Sequence, residues 1–495
     1  MKTNILLHDV RNRVATFLFA AAVLFTSHAV IAAPAITATK DDGVAPGVKK
    51  NPGDQIQYTI TIGNSNAVGT TDALNLQLTD ATPANTTDVA GSLVASPVAV
   101  DDTYPQTVIG NVSINSASIP YSVVGNDYVG LNPTATIDLV QAISAVVTNT
   151  ITATTAQGGT VVMTVSGTDI GKFAYNPPAG FEGSDTFTYR LSDNTNATSA
   201  ATNRTATVTI PVSGMVWFIN NAAGAGDGRL SSPFNTLAAF QAVNDGVGNH
   251  PAASDNIFIY ESATDYTGPV TLLNNQKLIG QDATASLATI TGLNPPSGSA
   301  AFPAMNSGNG TIVNVTTTAA GTNAIQIANT ASATIRGLTM GNTTGASLAN
   351  AGAGFGTLTV SDVSKNGTGA ALNLTSGTLN GTFGSISSTN SAATGISLSS
   401  VAGSLTSGST TITNPTGIGI SVGTSSATLS FAATSVTGSG GTGISLLTNT
   451  GTTTFGALTI TPDSGQRGLL ATDNTNTITV PSGTVTTTGN TAVEI

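Results

Sequence analysis

Cysteine is absent from all 495 residues. Neither disulfides nor thiolate metal sites are available, so packing alone must hold a fold of this chain together. Charge is scarce too: 14 Lys+Arg and 25 Asp+Glu amount to 8% of the residues, with a formal net charge of −11. An acidic surface repels nucleic-acid phosphate and anionic membrane, so no nucleic-acid partner is expected. Histidine is rarer still, at three residues, and only His250 lies beyond the first 32 positions. After residue 33 no run of 18 apolar residues occurs, which predicts no transmembrane helix in the mature chain. Gly, Thr, Ser, Ala and Asn fill the space, the composition of β-structure with many turns.

Against that background one phrase repeats. Gly395-Ile396-Ser397-Leu398, Gly419-Ile420-Ser421-Val422 and Gly443-Ile444-Ser445-Leu446 recur at a spacing of 24 residues, as do Phe383, Ser407, Phe431 and Phe455. Hydroxyl pairs keep the same step: Ser387 and Thr389, Thr411 and Thr413, Ser435 and Thr437, Thr459 and Thr461. A period of this size signals a solenoid. Apolar residues alternate with small hydroxyl residues, the period-two pattern of strands, which excludes helical repeats. Neither the leucine-rich framework nor the calcium-binding nonapeptide is present. The expectation is a parallel β-helix of about 24 residues per coil, in which apolar residues stack from coil to coil and glycine frees each corner for positive φ. Between Lys365 and Asp463 there is no charged residue and no histidine, so these coils lack the groups that acid–base, metal or nucleophilic catalysis requires.

In chain order, residues 1–33 read as a secretory signal: basic Lys2, Arg11 and Arg13, an apolar run from Val14 to Phe25, then small residues with cleavage after Ala32 or Ala35. Residues 36–96 carry Thr39-Lys40, a Pro52-Gly53-Asp54 turn and the alternating run Ile56 to Ile62. They resemble an Ig-like domain repeated in large bacterial surface proteins, which implies a spacer. In residues 97–213, Phe173, Tyr175, Phe187 and Tyr189 alternate along two strands, so one face of each should enter a sandwich core. The Tyr175-Asn176-Pro177 and Phe181-Glu182-Gly183-Ser184-Asp185-Thr186-Phe187-Thr188-Tyr189 motifs resemble the bacterial cadherin-like tandem-repeat domain. That resemblance implies calcium as a possible cofactor, with Asp101, Asp102, Asn126, Asp127, Asp185 and Asp193 as candidate ligands; all are hard oxygen donors. The same residues also cap turns without metal.

Residues 214–290 hold a strand around Trp217, the loop Gly224 to Gly228, and Ser232-Pro233-Phe234, where Ser232 should cap a short helix reaching about Val243. This resembles the N-terminal entry of pectin-lyase-like right-handed β-helices, with coils then running over 291–495. The glycine loop is no nucleotide loop, because Arg229 stands where G-x-G-x-x-G needs its last glycine. The fold class is therefore all-β: two Ig-like β-sandwich domains followed by a right-handed parallel β-helix. The repeat breaks off near Thr491–Ile495, which suggests either continuation in a longer surface protein or self-association through an open end.

Three functions compete. A secreted or cell-surface adhesin would meet a host or neighbouring-cell surface, or an extracellular polysaccharide or protein, through a weakly charged stalk. A polysaccharide lyase or hydrolase would need two carboxylates facing one cleft, yet Asp463 and Asp473 should fall on different faces. The hydroxyl ladder also resembles that of some ice-binding β-helices. The composition of the coils favours the adhesin.

Overall fold

The computed structural model describes residues 5–6, 36–64, 77–78, 80–89, 97–119, 121–128, 136–192 and 204–495. The segment 1–33 read from sequence as a secretory signal, apart from residues 5–6, and Asp193 lie outside the described residues. Within residues 36–96, Ile36–Asp41 pairs antiparallel with Thr59–Asn64, joining Lys40 to Ile60. Gly53 takes φ +96° in the turn before the second strand, and the Asp54 amide donates to the Asn51 carbonyl at 3.0 Å. The Pro-Gly-Asp turn is thus where the sequence places it.

Residues 97–213 form a sandwich. One sheet runs Ile114–Asn115, Phe173–Asn176, Thr160–Thr164, Thr150–Thr154, all antiparallel. The facing sheet sets Thr136–Val140 beside Gly183–Ser192, which in turn pairs with the first half of Thr205–Ile219. Phe173 and Tyr175 from one sheet and Phe187 and Tyr189 from the other are all buried in a single core, with the rings of Phe173 and Phe187 5.3 Å apart edge to face. Alternation of aromatic and polar residues dictates this, since a strand turns every second side chain to the same side.

The solenoid follows as parallel coils, about 10 of them and roughly 24 residues apart. Its interior is a set of columns. Val270, Ile325, Leu348, Leu372, Ile396, Ile420, Ile444 and Leu469 are joined in register, each buried. Phe383, Ser407, Phe431 and Phe455 make a second column, with the last two rings stacked at 5.4 Å. In-register stacking buries like on like, so each coil supplies the apolar floor for the next.

Glycine does a different job from the one expected of it. Gly395, Gly419, Gly443 and Gly468 do not have positive φ. At Gly419 a Cβ would collide with Val436 Cγ1 and the Gly443 carbonyl, and at Gly395 it would lie 2.7 Å from the Gly419 carbonyl. These glycines permit close approach between coils. The left-handed corner after each of these strands is taken by Ser376, Ser400, Thr424, Thr448 and Asp473, with φ between 52° and 57°, while glycine does hold positive φ at Gly369, Gly403 and Gly438. A β-branched residue in that region is strained, whereas asparagine tolerates it. Gly419→Ala should therefore lower stability by about 1–2 kcal/mol through overpacking, while exposed Thr424→Asn should raise it by about 0.5–1 kcal/mol. Denaturant midpoints of the two variants check both signs; a loss at Thr424 and no loss at Gly419 would reverse the assignment.

Two further expectations need correction. The short helix is Leu237–Gln241, capped by Thr236, whose hydroxyl accepts from the Ala239 amide at 3.0 Å. Ser232 does not cap it, because the Ser232 carbonyl accepts from the amides of Asp227 and Gly228 and holds the chain in a turn. Leu237 and Phe240 still enter the solenoid core beside Trp217 and Phe234. Nor do coils run on directly from residue 291. Between Gln276–Gly280 and Asn314–Thr316 the chain leaves the coil path, forms the helix Leu287–Thr291, and lays Leu287 on the outer face of Phe258 and Ile279.

Candidate functional site

Of the six candidate cation ligands, the structure brings four to one edge of the sandwich. The Asp127 carboxylate accepts from the Val100 amide at 2.8 Å and from the Tyr189 hydroxyl at 2.7 Å. Asp102 lies 3.1 Å from the same hydroxyl, the Asp101 carboxylate accepts from the Thr207 amide, and Asn126 Nδ2 reaches the Asp101 carbonyl. Tyr189 has one proton for two carboxylates. Burial, and then the Asp127 charge beside it, pushes Asp102 up to about 7, and burial pushes Asp127 up to about 6. Asn126 Oδ1 is buried with no hydrogen-bond partner. Among the described residues no three acidic or histidine side chains converge as a metal cluster. A hard cation would therefore draw on Asp102, Asp127, the Asn126 amide oxygen and carbonyls, a donor set calcium accepts.

Asp185 does not join them, which corrects its assignment. It is fully buried, and its carboxylate accepts from Thr155 Oγ1, Tyr175 Oη at 2.8 Å, and the amides of Gln157 and Thr186. Four donors leave it no capacity for a ligand; it ties the two sheets together.

The sequence also concealed a buried lysine. Lys365 is fully buried, in a column that runs Met340, Lys365, Ile386, Thr410, Thr434. Its Nζ donates to the Gly341 carbonyl at 2.6 Å and the Thr368 carbonyl at 2.7 Å, and burial lowers its pKa to about 8. No carboxylate pairs with it among the described residues. Its place was hinted at only by register: Ile386 follows 21 residues later and is apolar.

On the solenoid's outer face the hydroxyl pairs do form ladders. Asn366, Ser387, Thr411, Ser435, Thr459 and Thr484 are joined coil to coil, and beside them Thr368, Thr389, Thr413, Thr437 and Thr461. Their rows should be about 4.8 Å apart, the strand spacing. The charges of the coils are spread out, and two pairs of them are engaged with each other. Asp362 pairs with Arg336 at 2.6 Å and also meets Thr284, which pins the excursion at 281–313 to its coil. Asp463 and Asp473 fall at opposite ends of the strand Leu469–Thr472, and Arg467 pairs with Glu494 at 2.8 Å. Missed from sequence were Glu261 and Asp282: Glu261 accepts from Asn306 and Asn309, and Asp282 from the Val313 amide, so both anchor the same excursion. His250 sits in an exposed loop, 2.8 Å from Asp245. In the Gly224–Gly228 loop, the Asp227 and Gly228 amides are spent on the Ser232 carbonyl.

An Ig-like sandwich carrying a β-solenoid is the build of a surface or structural protein. Residues 94–210 match the family model of a bacterial Ig domain. No curated protein and no solved structure matches the chain. Among the described residues no helix is long and apolar enough to cross a membrane.

Proposed function

We propose that the protein is an extracellular fibrous adhesin, in which the Ig-like segments space a solenoid whose outer face makes contact with a neighbouring surface or an extracellular polysaccharide or protein matrix. The in-register, uncharged ladders from Asn366 to Thr461 support this reading. They offer repeated hydroxyl donors and acceptors on a rigid plane, suited to a polymer that is itself repetitive and neutral. Removing the gene should reduce attachment of the producing cells to polysaccharide-coated surfaces several-fold, and the full chain supplied in trans should restore it. Attachment that is the same with and without the protein would overturn the proposal.

Calcium at the sandwich edge belongs to the same reading. Asp102, Asp127 and the unpartnered Asn126 Oδ1 would hold the ion, which would neutralise two carboxylates now sharing one tyrosine proton. A ligand bound only by the folded state stabilises it by about 2.7 kcal/mol at a hundredfold excess over Kd. Chelator should therefore lower the melting temperature of the full chain, and Asp127→Asn should abolish the response. An unchanged melt on chelation removes calcium from this site.

A further inference from the structure

The boundary between sandwich and solenoid is not a linker. Thr205–Ile219 is one continuous strand, bent at Gly214 (φ +81°): Thr205 to Val212 pair antiparallel within the sandwich, and Val216 to Ile219 pair parallel with Asn256–Ile259, the next solenoid strand. At the crossing, Val216 and Phe218 turn their side chains outward, where Ile109 and Val112 of the sandwich bury them together with Phe258 and Ile279. Asn111 stands at the centre, fully buried with φ +68°. Its Nδ2 donates to the Val216 carbonyl at 3.1 Å, its Oδ1 accepts from the Gly180 amide at 2.8 Å, and its carbonyl accepts from the Leu230 amide at 2.9 Å. The excursion at 281–313 closes the other side, with the Asn115 amide on the Gly298 carbonyl at 2.7 Å and the Ala300 amide on the Ser113 carbonyl at 2.9 Å.

We propose that the Ig-like domain and the first solenoid coils form one cooperative folding and load-bearing unit, joined at Asn111, so that the domain serves as the solenoid's folding template and force passes between them without a hinge. Three properties of the junction support this. Deleting the sandwich would strip Ile109 and Val112 from the apolar face of Val216 and Phe218. A hinge needs a segment able to change φ and ψ freely, and the strand's ladder bonds continue to within a residue or two on either side of Ser213 and Gly214. A buried amide that bridges two modules costs each of them when it is removed, because its partners lose their bonds in the dry interior.

Native-state hydrogen exchange on the full chain tests the proposal. Asn111→Ala should speed exchange about tenfold, and by the same factor, in the sandwich strand Gly183–Ser192 and in the solenoid strand Asn256–Ile259. Acceleration in only one of the two strands, or in neither, would overturn it. Should Asn111→Ala fail to fold, Ile109→Val is read by the same criterion. Trp217, the single tryptophan and a residue of the first coil, provides a second readout: its fluorescence should change at the same denaturant concentration at which the amides of the sandwich strand Gly183–Ser192 lose their protection, and two separate midpoints would show two independent modules.

Discussion

Ile420→Asp should destabilise the solenoid by about 4 kcal/mol or more, whereas Thr413→Asp should cost less than about 1 kcal/mol. Ile420 has no exposure and is paired directly with Ile396 on one side and Ile444 on the other. A carboxylate there has no donor and no water, so it must either remain charged in an apolar column or take up a proton. Thr413 lies in an outer column between Thr389 and Thr437, where water solvates a new charge. Thermal melts of the two variants decide the register. Equal losses would remove this register, and a larger loss at Thr413 than at Ile420 would mean that inner and outer columns are exchanged, since a one-residue slip turns every side chain to the other face.

Where one coil repeats the next, sequence spacing is already structure. The step of 24 between Ile396, Ile420 and Ile444 reads directly as a column, and the alternating aromatics of the sandwich read directly as its core. What resisted reading was local competition between equivalent groups. Ser232 and Thr236 offer the same capping chemistry, and the choice fell to Thr236 because the Ser232 carbonyl is committed to the preceding turn. Gly419 and Thr424 could each have taken the left-handed corner. Contact between coils needs the missing Cβ at 419, and the positive φ lies at the other end of the strand Ile420–Gly423, on Thr424. Asp185 carries the same side chain as Asp102 and Asp127, yet Tyr175 and Thr155 reach it from the facing sheet, a contact that no linear motif records. The boundary read between 213 and 214 falls inside the strand Thr205–Ile219, where Gly214 takes φ +81° and the pairing partner changes.

Lys365 carries the second large effect, and its sign follows from where the charge lies. Unfolded, the amine titrates near 10.5; folded, burial brings it to about 8. Between those values the unfolded chain binds more protons than the folded one, so stability rises with pH from about 8 to 10.5 and is flat below 8. The full rise is about 3 kcal/mol for a shift of this size. Lys365→Met should erase that slope, because Met340 above and Ile386 below already make the column apolar. At pH 7 the methionine variant should unfold at a denaturant concentration equal to or above that of the parent, since replacing a buried charge by an apolar residue of similar volume is often neutral or stabilising. Its cost is confined to the Gly341 carbonyl, which loses the lysine donor, while the Thr368 carbonyl keeps the Thr343 amide. Tyrosine ionisation affects parent and variant alike near pH 10, so the informative quantity is their difference in unfolding free energy between pH 7 and 10.5. A difference that closes as pH rises means the lysine is charged in the core at neutral pH. Parallel curves would mean that water reaches it, and the column would then be open at that coil.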